Sequence, residues 1–433
     1  MRELTYNDAV NIIYELPKFT VKHTIEESKQ FLDMLGHPEK GMRIIHVAGT
    51  NGKGSVCAYM ESVLMEAGFH TGCFVSPHLV DVRERVRIDG ELCSEEDFVE
   101  AVWKVRELAE KSFYPSFFEF LFFVGLLIYQ KAGVDILILE TGLGGRLDAT
   151  NLIDDKELTV ITSIGLDHME YLGDTLDKIA YEKSGIMRTN TPIVFWDESD
   201  SENDDARLVT ATINKCAREK SACVKSPRKM IVSDINLGKG GIDFCLRYKY
   251  YNDICLTVRS KALYQVYNAA LAVYALGVWD TQECISDEAY MSGISKCFWP
   301  GRMEEIEPRI ILDGAHNVPG IQEFIRSVEL DGADKRMLIY GCMADKQYAE
   351  EIQLIANSGL FERIVAVTID YGRALSVSDV ASSFAAAGCE CEKADDIASA
   401  IEMARAYTRD DQGQFVYIAG SLYVIGEVRG LIK

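Results

Sequence analysis

The chain has 433 residues, 48% of them hydrophobic and 26% charged, and a formal net charge of −22. That length predicts two or three domains with ample core, and the composition is ordinary for a globular protein. The acidic balance argues against a nucleic-acid partner, since phosphate contacts need a basic surface, but a local basic cluster can still hold a small anion inside one cleft.

The opening stretch MRELTYNDAVNIIYELPKF alternates polar and apolar residues, unlike a signal peptide. No apolar run reaches the roughly 18 residues of a membrane span. The twelve cysteines show no paired metal spacing, which in a long chain without a secretion signal predicts reduced thiols in the cytoplasm and no membrane partner.

Taken in chain order, RIIHVAG reads as a buried strand, followed by the Gly-rich run GTNGKGS and the helix GSVCAYMESVLMEAG, with Gly68 closing it. GCFVS is a second strand. In DVRERVRIDG, Arg83, Arg85 and Arg87 alternate, so on a strand they would share one face, either as exposed charges or facing an anion. FFEFLFFVGLLIYQKAGVDILILE fits a buried helix and then a buried strand, and LTVITSIG is a further strand.

The acidic run DESDSENDD is expected to be a solvated loop or helix start. Residues 230–260 read as short strands with a glycine turn at LGKGG, and YQVYNAALAVYALG follows as a helix. Pro300-Gly301 marks a boundary. Beyond it RIILDGAHN, RMLIYGCM, RIVAVTID and QFVYIAGS are four strand-like runs separated by helical stretches. Strands alternating with helices predict an α/β chain with mostly parallel sheets, divided into domains 1–297 and 298–433, with ligands at the carboxyl ends of the strands.

The chemistry sits at those ends. GTNGKGS has the strand–turn–helix setting of a phosphate loop, with backbone N–H groups and Lys53 directed at an anion. It departs from the pattern G-x-x-x-x-G-K-[ST]: Val47 stands where the first glycine would fall, and the Ser55 hydroxyl arrives one place late. Glu140, ending an apolar strand ahead of GLGGRLDATN, can cap that strand in water or hold Mg²⁺. Alone, His168 in IGLDHMEYLG and Lys183 in YEKSGI read as structural; beside Glu140, His168 becomes a credible metal ligand. In the second domain Asp313, His316 and Asn317 cluster in ILDGAHN, with Arg302 just before them, and IAGSLYVIGEVRG places Ser421 after a strand. Polar strand ends on two domains predict a cleft between them.

Together these stretches resemble the folylpolyglutamate synthase/dihydrofolate synthase family, a branch of the Mur-ligase-like ATP-dependent amide ligases. The matching motifs are LGHPEKGMRIIHVAGTNGKGS, VSPHL, ERVRIDGE, FFEF, LETGLGGRLDATN, IGLDHMEYLGDTLDKIAYEKSGI, YNAALA, PGRMEE, DGAHN, GCMADK and GSLYVIGEVR, in order from about residue 30 to 430. GTNGKGS is that family's own phosphate loop, extra glycine included.

The resemblance implies an N-terminal P-loop-type ATPase domain and a smaller C-terminal Rossmann-like α/β domain that carries glutamate ligation. It implies ATP, L-glutamate and a folate or dihydropteroate as substrates, an acyl-phosphate intermediate, two Mg²⁺ ions and room for a monovalent cation; a monomer suffices. Thr50, Asn51, Gly52, Lys53, Gly54, Ser55, Asn268, Arg302 and Asp313 match ATP-binding positions. Ser76, Glu140, His168 and Lys183 match metal positions, Lys183 as a carbamate. His316 and Ser421 match the glutamate site, and Ser116, Phe117, Phe118, Glu119 and Asp148 the pterin contacts. Lys53, Lys183 and His316 are the catalytic candidates.

The chain departs from the family pattern at Ala262 and Tyr264, which stand where Gly-x-His-Gln is usual. It departs again at Val318, which replaces a proline, and at Thr141, which replaces an aliphatic residue. The rival readings are a cell-wall Mur ligase, a dihydrofolate synthase alone, and a non-catalytic nucleotide-binding protein.

Overall fold

In the computed structural model, residues 5–16, 24–238, 240–249, 252–409 and 411–432 are described; parts of the opening stretch, and Lys239 of the LGKGG turn, lie outside them. The first sheet has eight strands: β1 (Arg43–Ala48), β2 (Thr71–Phe74), β3 (Val86–Ile88), β4 (Glu91–Leu92), β5 (Ile136–Glu140), β6 (Leu158–Ile161), β7 (Pro192–Val194) and β8 (Cys223–Val224). Their order is β4-β3-β2-β5-β1-β6-β7-β8. From β2 to β8 neighbouring strands run parallel, and β3 and β4 add an antiparallel edge.

The sequence dictates this directly. ILILE of β5 is buried at every position, and RIIHVA of β1 at all but its first. Such unbroken apolar runs suit strands covered on both faces. The helix Phe117–Ala132, apolar nearly all round, is buried along most of its length, and its Phe122 ring packs 5.5 Å from that of Phe74 on β2. Because β1 lies between β5 and β6, the turns leaving these three strands emerge side by side at their carboxyl ends, the place where ligands bind in open α/β sheets.

Three further strands, β9 (Val232–Gly238), β10 (Gly241–Lys249) and β11 (Asn252–Val258), form a small sheet in the order β11-β10-β9. The last sheet holds β12 (Glu304–Glu307), β13 (Ile310–Leu312), β14 (Lys335–Tyr340), β15 (Arg363–Ala366), β16 (Glu392–Lys393) and β17 (Gln414–Ala419), ordered β12-β13-β17-β14-β15-β16. It is parallel except at β12. The chain divides into two compact units. One comprises Met1–Ile235, Asp243–Thr257 and Tyr267–Cys297; the other Asn236–Ile242, Val258–Val266 and Phe298–Lys433. Among the described residues no helix is long and apolar enough to cross a membrane.

Two expectations are corrected. The arginines of DVRERVRIDG do not share a strand face, because Val82–Arg85 is a short 3-10 turn capped by Asp81 and only Val86–Ile88 is strand. Each then finds its own protein partner: Arg83 pairs with Asp81 at 2.8 Å, Arg85 donates to His78 Nδ1 at 2.8 Å, and Arg87 lies 3.1 Å from buried Glu61. Nor are all cysteines reduced. Cys245 on β10 and Cys255 on β11 face each other with Cα atoms 4.1 Å apart and are joined as a disulfide, a pairing that cross-strand register creates and that sequence spacing does not reveal.

In the second unit Arg429 and Glu304 form a buried ion pair, and Glu304 also accepts the Gly301 N–H at 2.8 Å. Arg429→Met leaves that carboxylate buried without its cation. It is expected to destabilise the second unit by about 3–5 kcal/mol in urea unfolding followed by circular dichroism; an unchanged midpoint would show that the pair contributes nothing.

Candidate active site

The phosphate loop begins where β1 stops. Gly49 has φ 154°, and a Cβ there would lie 1.8 Å from Thr162 Oγ1, so only glycine lets the chain turn this close to the end of β6. The loop is tied to the segment after β6: the Thr50 N–H donates to Ser163 O at 2.7 Å, and Thr162 Oγ1 donates to Asn51 O at 2.7 Å. Thr50 Oγ1 donates to Gly165 O at 3.0 Å and accepts the Gly165 N–H at 3.1 Å. Gly52, in the left-handed region, then heads the helix Lys53–Glu66, whose first N–H groups and dipole favour an anion. Asn268 stands against Gly52, its Oδ1 2.4 Å from where a Cβ would be.

Around this loop the structure gathers Lys53, Ser76, Glu140 and Lys183. Glu140, at the end of β5, is buried and accepts the Ser76 backbone N–H at 2.9 Å; the Ser76–Pro77 peptide that follows is cis. The Lys53 ammonium lies 3.9 Å from Glu140 Oε1 and donates to Thr50 O at 3.1 Å. Lys183, last residue of the helix Leu176–Lys183, is buried and donates to Gly49 O at 2.6 Å. Burial, helped by the Lys53 charge, pushes its amine down to about 7. His168 occupies a left-handed turn on the loop after β6, its ring 45% exposed and 4.0 Å from Asp167.

Among the described residues no group of three or more His, Cys, Asp or Glu side chains is placed to hold a metal, so Glu140 and His168 are not gathered into such a cage. Mg²⁺ does not need one, because it keeps waters and is held by one or two carboxylates plus phosphates. A buried carboxylate beside a phosphate loop therefore fits an ion that arrives with its phosphate ligand.

The pterin candidates are brought near one another but hold the fold as well. Phe118 packs where a Gly142 Cβ would lie, 2.6 Å away, and so meets the GLGGRLDATN turn. Glu119 caps its own helix, accepting the Ser116 N–H at 2.9 Å and hydroxyl at 2.7 Å, and also the Ser28 hydroxyl at 2.8 Å. Arg85 lies 5.3 Å over the Phe117 ring. Asp148 is buried, which raises its carboxyl pKa, and it accepts from Leu143 N at 2.8 Å, Thr150 N at 3.0 Å and Thr150 Oγ1 at 2.5 Å. With its proton committed to Asp148, the Thr150 hydroxyl accepts from His46 Nε2 at 2.7 Å, which makes the buried His46 a neutral donor at that nitrogen.

Sequence reasoning missed the cations that hold Lys183 in place. The chain leaves its helix through the short 3-10 turn Ser184–Ile186, and three basic side chains take the carbonyls of Gly185, Ile186 and Met187 there. Lys156 reaches Ile186 O at 3.2 Å and Asn151 Oδ1 at 2.6 Å; Lys220 reaches Gly185 O at 2.8 Å; Arg188 reaches Met187 O at 3.1 Å. Asn151 Nδ2 completes the clamp by donating to Arg146 O at 3.1 Å. Lys156 is buried, and desolvation, with Arg188 adding repulsion, holds its amine well below the usual range. In sequence it is one lysine in DDKELTV, with no signal beyond its position before a strand.

In the second unit, the loops after β13 and β17 meet through the Gly420 N–H, which donates to Ala315 O at 3.0 Å. Asp313 is buried and accepts from Tyr264 Oη at 2.6 Å, Met303 N at 3.0 Å and Ala315 N at 2.9 Å. Arg302 stands against Gly314, its Nη1 2.1 Å from where a Cβ would be, and its charge partly offsets the burial of Asp313. His316 donates from Nδ1 to Gly314 O at 2.7 Å. Ser421 is buried and accepts the Tyr423 N–H at 3.2 Å. Asn317 caps the helix Val318–Glu329, accepting the Gly320 N–H at 2.9 Å.

Residues 301–422 match the family described as Mur ligase, glutamate ligase domain. The chain is 34% identical over 446 residues to the dihydrofolate synthase/folylpolyglutamate synthase of Bacillus subtilis (strain 168), covering 99% of each chain. Its fold is similar to that of E. coli FolC in complex with DHPP and ADP, at a TM-score of 0.85 and 27% identity over 99% of this chain and 98% of that one. It is also similar to the bifunctional folylpolyglutamate synthase/dihydrofolate synthase from Yersinia pestis complexed with AMPPNP and Mn ion, at a TM-score of 0.83 and 27% identity over 99% and 98%. With its motifs in order and a full-length relative this similar, the chain belongs to the folylpolyglutamate synthase/dihydrofolate synthase family of Mur-ligase-like enzymes.

Proposed function

We propose that this chain is an ATP-dependent ligase that joins L-glutamate to a folate, extending its polyglutamate tail, and to dihydropteroate, giving dihydrofolate. The observation that carries the reading is the buried group at the phosphate loop, with Lys53 3.9 Å from Glu140 and Lys183 bonded to Gly49 O. The Bacillus subtilis relative bears both activities in its name, which supports both acceptors. Residues 1–297 are assigned to ATP binding and 298–433 to glutamate ligation, and the match of 301–422 to a glutamate ligase domain supports the second assignment.

In the first step an oxygen of the acceptor carboxylate bonds to the γ-phosphorus of ATP while the bond to the β-phosphate oxygen breaks, leaving an acyl phosphate and ADP. In the second the glutamate amine bonds to the acyl carbon, phosphate leaves, and the nitrogen loses a proton to give the amide. Loop N–H groups from Thr50 to Ser55 cradle the phosphates, and Lys53 neutralises charge on the transferring group. Asn268, Arg302 and Asp313 contact the nucleotide, His316 and Ser421 line the glutamate site, and residues 116–119 with Asp148 flank the pterin.

Ser76, Glu140, His168 and Lys183 would hold magnesium, which supplies charge stabilisation at the phosphoryl oxygens when bound; Mn in the Yersinia pestis relative supports a divalent ion. An amine held at about 7 is substantially neutral at physiological pH, so Lys183 can take up CO₂ as a carbamate and offer a carboxylate to a second ion. A monovalent cation site belongs to the same reading.

ADP release with Mg-ATP and L-glutamate is expected with either dihydropteroate or a reduced folate as acceptor. Silence with both, in protein that still binds ATP, would overturn the proposal, and turnover with one alone would restrict it to that step. Lys183→Ala and His168→Ala are each expected to cut turnover at least tenfold, about 1.4 kcal/mol of barrier.

Lys183 also makes a stability prediction. Its amine falls from 10.5 to about 7 on folding, so between those values the unfolded chain binds the extra proton. The penalty of burying it is complete below about pH 7 and is relieved as pH rises. In CO₂-free buffer the melting temperature of the wild type is therefore expected to gain on that of Lys183→Met from pH 7 to pH 9; parallel curves would refute the lowered value.

A further inference from the structure

Asp313 directly follows β13 and is 1% exposed, and among the described residues its carboxylate accepts three hydrogen bonds from the protein. The Ala315 N–H takes Oδ1 at 2.9 Å, while the Met303 N–H at 3.0 Å and the Tyr264 hydroxyl at 2.6 Å both take Oδ2. A carboxylate offers about four acceptor positions, two on each oxygen. Oδ2 is therefore filled, and the remaining acceptor position lies on Oδ1.

Two of the three donors are main-chain groups, Met303 just before β12 and Ala315 in the turn after β13. The third is a side chain more than forty residues earlier in the chain, in the first turn of the helix Leu263–Trp279. The Tyr264 ring packs on the core cluster that includes Ala262, Met303 and Ala315, so its apolar body is fixed and its hydroxyl is carried to the carboxylate. Ala262, two residues before it, is fully buried in the same cluster.

We infer that Tyr264 is a positioning residue for the nucleotide: by completing the hydrogen bonds of Oδ2 it fixes the plane of the Asp313 carboxylate and turns Oδ1 to the ligand. This rests on the reading of Asp313 as a nucleotide contact. The role is separate from the phosphoryl-transfer chemistry at Lys53, so its loss acts on nucleotide binding and leaves the rate of the bound complex nearly alone.

The test is isothermal titration of the full-length protein with ADP, together with steady-state KM for ATP and kcat, for Tyr264→Phe, Tyr264→His and Asp313→Asn. Removing one hydrogen bond to a charged group predicts that Tyr264→Phe raises both the ADP Kd and the ATP KM about tenfold, with kcat within about twofold of wild type. Tyr264→His restores an N–H donor and is expected to return the Kd to within about threefold. An ADP Kd unchanged in Tyr264→Phe, a fall in kcat at constant KM, or a tenfold loss in Tyr264→His would each overturn the inference; the histidine variant decides even if the phenylalanine variant does not fold. Asp313→Asn separates the two readings. If it binds ADP as the wild type does, the nucleotide role of Asp313 fails and the inference falls with it; if it loses affinity while Tyr264→Phe does not, positioning by Tyr264 alone fails.

Discussion

A lysine amine buried against the carbonyl of Gly49 is the constraint around which the first unit is organised. Removing an ammonium group from water is costly, and the protein answers by lowering the pKa of the amine and by supporting the backbone on both sides of it. On one side, Gly49 turns back on the end of β6 with no room for a side chain. On the other, a Cβ at Gly185 would lie 2.2 Å from Arg146 Cα, so the turn after Lys183 packs backbone to backbone on the GLGGRL loop. Lys156, Arg188 and Lys220 fasten the carbonyls of that turn, and the Lys183 amine ties the helix to the phosphate loop at Gly49 O.

The same economy governs the carboxylates. Glu119 and Asp148, pterin candidates by resemblance, are each also engaged by protein donors that shape their own turn. Glu140 differs because its neighbour is the Lys53 ammonium, and the pair lies where phosphate charge is expected. A carboxylate facing a lysine in a buried setting is poised for ions, whereas one that also accepts backbone N–H groups helps to hold its own turn. The distinction lies in the donors around the side chain and cannot be read from residue type.

The second unit repeats the logic with different chemistry. Its parallel strands β13, β14 and β17 are followed at once by Asp313, Gly341 and Gly420, and the turns beyond β13 and β17 are stitched through backbone bonds that bring His316 and Ser421 into neighbouring loops. The buried pair of Glu304 and Arg429 fixes the antiparallel edge strand to the final helix. Asp313 is thereby held from three directions just past a short strand, which makes its orientation a property of the fold.

Unbroken apolar strands, amphipathic helices and the loop GTNGKGS determined the α/β class, the position of the phosphate loop and the family, because these depend on local periodicity and on residues adjacent in the chain. Glu140 and Lys53 stood out for the same reason, each at a strand or helix end that the pattern marks, whereas Lys183 alone read as structural and entered only through the family resemblance. Only the tertiary structure decided that Arg83, Arg85 and Arg87 take separate partners, that Cys245 and Cys255 are bonded, that Lys156 supports Lys183, and that Tyr264 reaches Asp313. Those outcomes join residues from a few to nearly fifty positions apart through distances and burial, which exist only after the sheets have assembled and which no spacing in the chain encodes.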